Sequence, residues 1–146
     1  MSVRSFTKIW IHLIWGTKNR EKSLPDREFR KKVSQHLTQN SADKNIYMKI
    51  NYVNADHVHT LIDLPTNKTI EDVSRLLKGE LSSWINTELP LKFNWGVGYA
   101  AFSVSESKLN TVVEYIKNQE EHHKRISFEE EYEEFLRGYN IKELNR

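Results

Sequence analysis

A chain of 146 residues has room for one domain with a real core and not for two comfortable ones, so the expected unit is a single domain over residues 1–146. Its 38% hydrophobic and 11% aromatic content is that of an ordinary globular protein, and a formal net charge of +2 does not by itself announce a partner for polyanions. The absence of cysteine excludes disulfides, thiolate metal sites and cysteine nucleophiles, which leaves His, carboxylate, Tyr and Ser as the reactive groups.

The opening Met1-Ser2-Val3-Arg4-Ser5 leads into a short apolar run with no small-residue cleavage site after it, and no stretch is long enough to span a membrane; a cytoplasmic location is the expectation. Over residues 6–15 the chain is rich in β-branched and aromatic side chains, with Ile9, Ile11, Leu13 and Trp15 at period two, which predicts a strand. His12 shares the other face with Lys8 and Trp10, and reads as the exposed side of an edge strand or a point of contact with nucleic acid. A polar, basic stretch over 16–24 follows, and Pro25-Asp26 opens a helix to about 39 in which Phe29, Val33 and Leu37 recur every four residues.

Two runs of strand character, 46–53 and 57–64, are separated by Asn54-Ala55-Asp56 and predict an antiparallel hairpin. Thr69 with Asp72 forms a capping box for a helix to about 86 that buries Ile70, Val73, Leu77, Leu81 and Trp84 and turns Lys78 and Glu80 to solvent. After Pro90, a flexible loop over 94–98 leads to a short strand at 99–104, and Ser105 and Ser107 offer caps to a helix reaching about 125. A last amphipathic helix over 127–136 carries Phe128, Tyr132, Phe135 and Leu136 and ends at Gly138. This order predicts an α+β fold, a ferredoxin-like antiparallel sheet covered by helices on one side.

Charge is distributed unevenly: Lys18, Arg20, Arg27 and their neighbours make 18–32 basic, whereas 120–134 is rich in Glu. Such a chain can present a basic face to phosphates, and the pattern equally fits two solvated helix faces of opposite sign.

The chemistry is suggested by spacing. Residues i and i+2 of a strand point to one face, so His57 and His59 project side by side in the manner of ligands for a divalent ion. An isolated His-x-His also fits two histidines on a half-exposed strand. Tyr115 and Gln119 stack on one face of the predicted helix with His122 on the same stripe, beside the apolar stripe of Leu109, Val112, Val113 and Ile116. Tyr115 alone would suit a boundary core position as well. A phenol, with a reference pKa of about 10, becomes a useful nucleophile only where a metal or base stabilises the phenolate.

Asp56-His57-Val58-His59-Thr60-Leu61-Ile62 resembles the His-hydrophobe-His motif of the HUH nucleases, and Tyr115-Ile116-Lys117-Asn118-Gln119 with Glu120-Glu121-His122-His123 resembles the nucleophile helix of the single-tyrosine, IS200-like transposases of small bacterial insertion sequences. Trp10-Ile11-His12-Leu13-Ile14-Trp15, Thr17-Lys18-Asn19-Arg20, Leu77-Lys78-Gly79-Glu80-Leu81-Ser82-Ser83 and Trp95-Gly96-Val97-Gly98-Tyr99 extend the resemblance over nearly the whole chain. It implies that His57, His59 and Gln119 bind Mg2+ or Mn2+, and that Tyr115 forms a 5′-phosphotyrosine on single-stranded DNA bearing hairpins. It also implies a homodimer in which the helix with Tyr115 can complete the partner's site. Lys18, Arg20, Arg27 and His122 are the expected nucleic-acid contacts, and Trp95 or Tyr99 would stack a base or join the core. Three readings follow: an active strand transferase, a domesticated nuclease or nickase of the same fold, or a hairpin-binding module without catalysis.

Overall fold

The structure is a computed structural model that describes residues 5–142, so the leading Met1–Arg4 stretch read for a leader lies outside the described residues. Four strands, β1 (Trp10–Gly16), β2 (Tyr47–Val53), β3 (His57–Asp63) and β4 (Ala100–Val104), form one antiparallel sheet in the order β2-β3-β1-β4. Helices α1 (Arg27–Asp43) and α2 (Ile70–Glu88) supply the two crossovers, which gives the expected α+β plan with a helical layer on one side.

Strand alternation decides what each layer holds. Ile11, Leu13 and Trp15 of β1 and Val58 and Ile62 of β3 point toward α1 and α2, where they meet Val33, Leu37, Val73, Leu77, Leu81 and Ile85 in the main core. Each of these helices is started by its own sequence. Asp26 accepts from the Glu28 amide at the head of α1, and Thr69 and Asp72 form the expected reciprocal capping box on α2.

The opposite face of the sheet carries Trp10, His12 and Ile14 and is roofed by the C-terminal helices α3 (Leu109–Lys117), α4 (Gln119–His122) and α5 (Phe128–Gly138). β1 therefore lies between two layers. His12 is 2% exposed on a central strand, and the reading of it as the outer side of an edge strand is corrected accordingly.

Three further expectations change. The first strand begins at Trp10 rather than at residue 6, and Ile9, which lies before it, is largely exposed. The long helix expected up to about 125 is interrupted at Asn118, whose φ/ψ of −96°/23° separates α3 from α4. Lys78 is not simply solvated: its ammonium donates to the Gly96 and Gly98 carbonyls at 3.0 and 2.8 Å and secures the 94–98 loop against α2.

Leu77 is fully buried between α2 and the sheet. We expect Leu77→Ala to lower unfolding free energy by about 2–5 kcal/mol, read as a lower denaturant midpoint at unchanged slope. A cost below about 1 kcal/mol would place this side chain outside the close-packed core.

Candidate active site

Register brings the first residues together. β1 and β3 pair so that Ile14 faces His59 and Gly16 faces His57, which leaves both imidazoles on the roofed side of the sheet with almost no exposure. The absence of a side chain at Gly16 shapes this corner: a Cβ there would stand 2.8 Å from Phe128 Cε2. Phe128 instead lies flat on His57, ring centroids 4.0 Å apart at 6°.

α5 delivers the centre of the site. Ser127 and Glu130 cap it reciprocally, so Phe128, Glu131 and Phe135 fall at i, i+3 and i+7 along the stripe that faces the sheet. Phe128 and Phe135 are apolar members of that stripe; Glu131 is a carboxylate at 1% exposure. Its Oε1 lies 3.2 Å from His57 Nε2, 2.9 Å from His59 Nε2 and 3.2 Å from His123 Nε2. Its Oε2 accepts from the Tyr115 hydroxyl and, at 3.2 Å, from the Gln119 amide, and stands 3.3 Å from His122 Nε2.

The expected residues thus converge. Tyr115, Gln119 and His122 meet despite the break at Asn118: the phenol lies 3.2 Å from His122 Nε2 and 5.8 Å, ring to ring, from His59. Gln119 is fully buried; its carbonyl accepts from Asn54 at 3.2 Å and stands 3.0 Å from His123 Nε2, while its amide group also reaches the Tyr115 carbonyl at 3.4 Å.

The reading of the chain had not placed Glu131, His123 or Asp56 in the site. Glu131 lies within the Glu-rich run over 120–134, and His123 adjoins His122 in the motif that follows Gln119. The available signal was an acidic residue at core spacing between Phe128 and Phe135, where a solvated face would not put it.

Electrostatics follow from this packing. Burial works against the Glu131 carboxylate, yet hydrogen bonds from His123, His57 and His59 hold it far below the usual carboxylate range. Burial likewise lowers His57, but its bonds to Asp56 and Glu131 outweigh burial and raise it above an ordinary histidine. His59 is pushed down to about 4, chiefly by burial, and burial followed by the neighbouring His59 keeps His12 neutral as well. Burial and the Glu131 contact together raise the Tyr115 phenol well above its ordinary value.

The other expected contacts lie around this centre. Lys18 is exposed in a 3-10 turn, Arg20 pairs with Glu129 at 3.1 Å over the Phe128 and Tyr132 rings, and Arg27 pairs with Glu120 at 3.2 Å. Arg27 also lines a cleft with Arg30, Lys31, Tyr52 and Lys117. Trp95 packs edge-on against Trp15 and donates to the Lys78 carbonyl, a core position, whereas Tyr99 is exposed at the surface. Among the described residues no helix is long and apolar enough to cross a membrane.

The donor set fits a divalent cation. One atom each from His57, His59, His123 and Glu131 lies within 4.8 Å of the others, and imidazole nitrogen with carboxylate oxygen suits first-row divalent ions and Mn2+.

Comparison with known proteins bears on the family and the fold. The family model described as "Transposase IS200 like" matches residues 5–119. A Deinococcus radiodurans R1 protein whose crystal structure is described as that of a candidate transposase superposes with a TM-score of 0.64 at 26% identity, covering 82% of this chain and 97% of that one. The REP-associated tyrosine transposase bound to a REP hairpin shares the fold with a TM-score of 0.61 at 16% identity, over 84% of this chain and 73% of that one. Among curated proteins none matches. With a family model spanning most of its length, the chain belongs to the IS200-like transposase family.

Proposed function

We propose that this transposase cleaves and rejoins single-stranded DNA at hairpin-bearing element ends, with Tyr115 as nucleophile and a 5′-phosphotyrosine as the covalent link. The observation that carries the reading is the convergence of the Tyr115 hydroxyl with the His57 and His59 imidazoles on one buried carboxylate. A module that only held hairpins has no need of a phenol beside paired imidazoles.

His57 and His59, with the Gln119 carbonyl as oxygen donor, are the proposed holders of Mg2+ or Mn2+. When bound there, such an ion would supply Lewis-acid chemistry, polarising and orienting a phosphate. Tyr115 loses its hydroxyl proton and its oxygen forms a bond to phosphorus. The bond from phosphorus to the 3′ oxygen breaks, and that oxygen leaves with the electron pair and takes up a proton as a 3′-hydroxyl. Rejoining is the reverse, with a 3′-hydroxyl of another end displacing Tyr115, so the energy of the phosphodiester is conserved rather than lost to water.

Lys18, Arg20, Arg27 and His122 are proposed to receive the DNA. Arg20 and Arg27 are engaged with Glu129 and Glu120 in exposed pairs of the kind worth little, so a phosphate replaces the carboxylate at small cost. The REP hairpin bound by one structural neighbour supports a hairpin as substrate. The proposed protein partner is a second copy of the chain, on the family resemblance; within one chain the phenol already stands beside His59.

Incubation with hairpin-bearing single-stranded DNA and Mn2+ is expected to yield a covalent protein-DNA adduct in the wild type and none in Tyr115→Phe. Retention of the adduct by that variant would remove Tyr115 from the role. His57→Ala should weaken Mn2+ binding by about tenfold or more, the scale seen even for groups that merely orient ligands; unchanged affinity in a calorimetric titration would count against His57 as a ligand. Because the phenol pKa is raised, the neutral form persists above the ordinary range near pH 10. The metal-free wild type and Tyr115→Phe should therefore develop phenolate absorbance in parallel through that range, whereas an extra step in the wild type near pH 10 would contradict the buried contact with Glu131.

A further inference from the structure

We infer that Glu131 and His123 are themselves ligands of the metal ion, so that α5 and the turn before it complete a site whose other ligands come from β3. The inference rests on the metal-assisted reading above and goes beyond the three residues proposed there.

The argument lies in where the imidazole protons are. His57 Nδ1 lies 2.6 Å from Asp56 Oδ1, and the carboxylate takes the Nδ1 hydrogen. His123 Nδ1 lies 2.9 Å from the Ile126 carbonyl, which can only accept, so that hydrogen is fixed too. A neutral imidazole has one N–H, and in both rings it is used on the far side. In that neutral form the Nε2 lone pairs of His57 and His123 point inward at Glu131 Oε1, each 3.2 Å away, with the Gln119 carbonyl also 3.0 Å from His123 Nε2. Only a second proton on each ring would turn these contacts into the hydrogen bonds described above. Asn54 Nδ2, at 3.1 Å from His57 Nε2, is placed to donate to such a bare nitrogen. His59 is closed on its far side by His12, whose Nε2 lies 2.7 Å from His59 Nδ1, and its Nε2 joins the same point at 2.9 Å.

Several lone pairs aimed at one oxygen repel unless positive charge lies between them. Excess protons on the rings are one source; a divalent ion is the other. The outer partners are those a bound ion would call for. A carboxylate on His57 Nδ1 and a backbone carbonyl on His123 Nδ1 are supports of the kind that orient metal-bound histidines and fix their tautomers, while the His12 imidazole holds the His59 ring in place from its far side. A carboxylate beside three imidazoles suits Mn2+ better than Mg2+, because Mg2+ takes oxygen ligands and three of these four donors are nitrogen.

Titration of the metal-free protein with Mn2+, followed by electron paramagnetic resonance of the free ion, tests this. Glu131→Gln keeps the size of the side chain and removes its charge, and we expect affinity to fall by about tenfold or more while the thermal unfolding midpoint still reports a folded chain. Unchanged affinity overturns the assignment. So does tighter binding, the result expected if Glu131 merely occupies the histidines and has to be displaced. A measurement on the wild type needs no variant: spin-echo modulation of bound Mn2+ is expected to show imidazole nitrogens from His57, His59 and His123, and loss of none of them in His123→Ala overturns the role of His123. These outcomes are separable from the strand-transfer reading. A protein that binds Mn2+ through Glu131 but forms no DNA adduct keeps this inference and loses that function; one that forms the adduct while Glu131→Gln binds Mn2+ normally does the reverse.

Discussion

A carboxylate at 1% exposure survives in a protein interior only when hydrogen bonds and opposite charge replace the water it has lost, since an unpaired buried charge costs several kcal/mol. Glu131 meets that condition with three imidazoles on one oxygen and a phenol and an amide on the other. Each of these partners has to arrive from a different element, and each arrival constrains its element. The capping box at Ser127 fixes where α5 begins, the missing side chain at Gly16 lets Phe128 lie on His57, and the β1–β3 register puts both histidines under the same roof. The break at Asn118 belongs to the same set of constraints. It falls between Tyr115 and Gln119, both of which reach Glu131 Oε2.

The rigid part of the molecule lies on the other side of the sheet. Ile11, Leu13 and Trp15 anchor β1 to α1 and α2, so that the alternate residues His12, Ile14 and Gly16 are presented to the site from a strand that cannot slip without exposing the core. A single-residue change of register would carry His57 and His59 into the apolar layer. Burial energy on one face thereby fixes where the imidazoles stand on the other.

This division explains what could be read from the chain. Period-two alternation and the hairpin Asn54-Ala55-Asp56 were enough to put His57 and His59 on one face, and the capping pair Thr69 and Asp72 located the start of α2 because such a signal is local. Tyr115, Gln119 and His122 were also legible, since seven residues span about two helical turns and a short irregularity leaves the face nearly unchanged. His12, His123 and Glu131 were not. Their roles depend on which side of β1 is roofed and on where α5 folds back, both long-range facts. Glu131 was hidden further by its neighbours: Glu129, Glu130, Glu133 and Glu134 surround it in sequence, and only its spacing from Phe128 and Phe135 sets it apart.

The position of Glu131 between the histidines and the phenol also joins two properties usually treated separately. Burial first, and then the contact with this carboxylate and its negative charge, raise the Tyr115 phenol and favour its protonated form. Charge compensation on Oε1 weakens the acceptor on Oε2, because the two oxygens share one delocalised charge. With a cation held by the imidazoles, Tyr115 would therefore be easier to ionise although the ion did not touch the phenol. On the proposal that Tyr115 attacks DNA, its reactivity would then depend on the occupancy of the site beside it, through a single side chain.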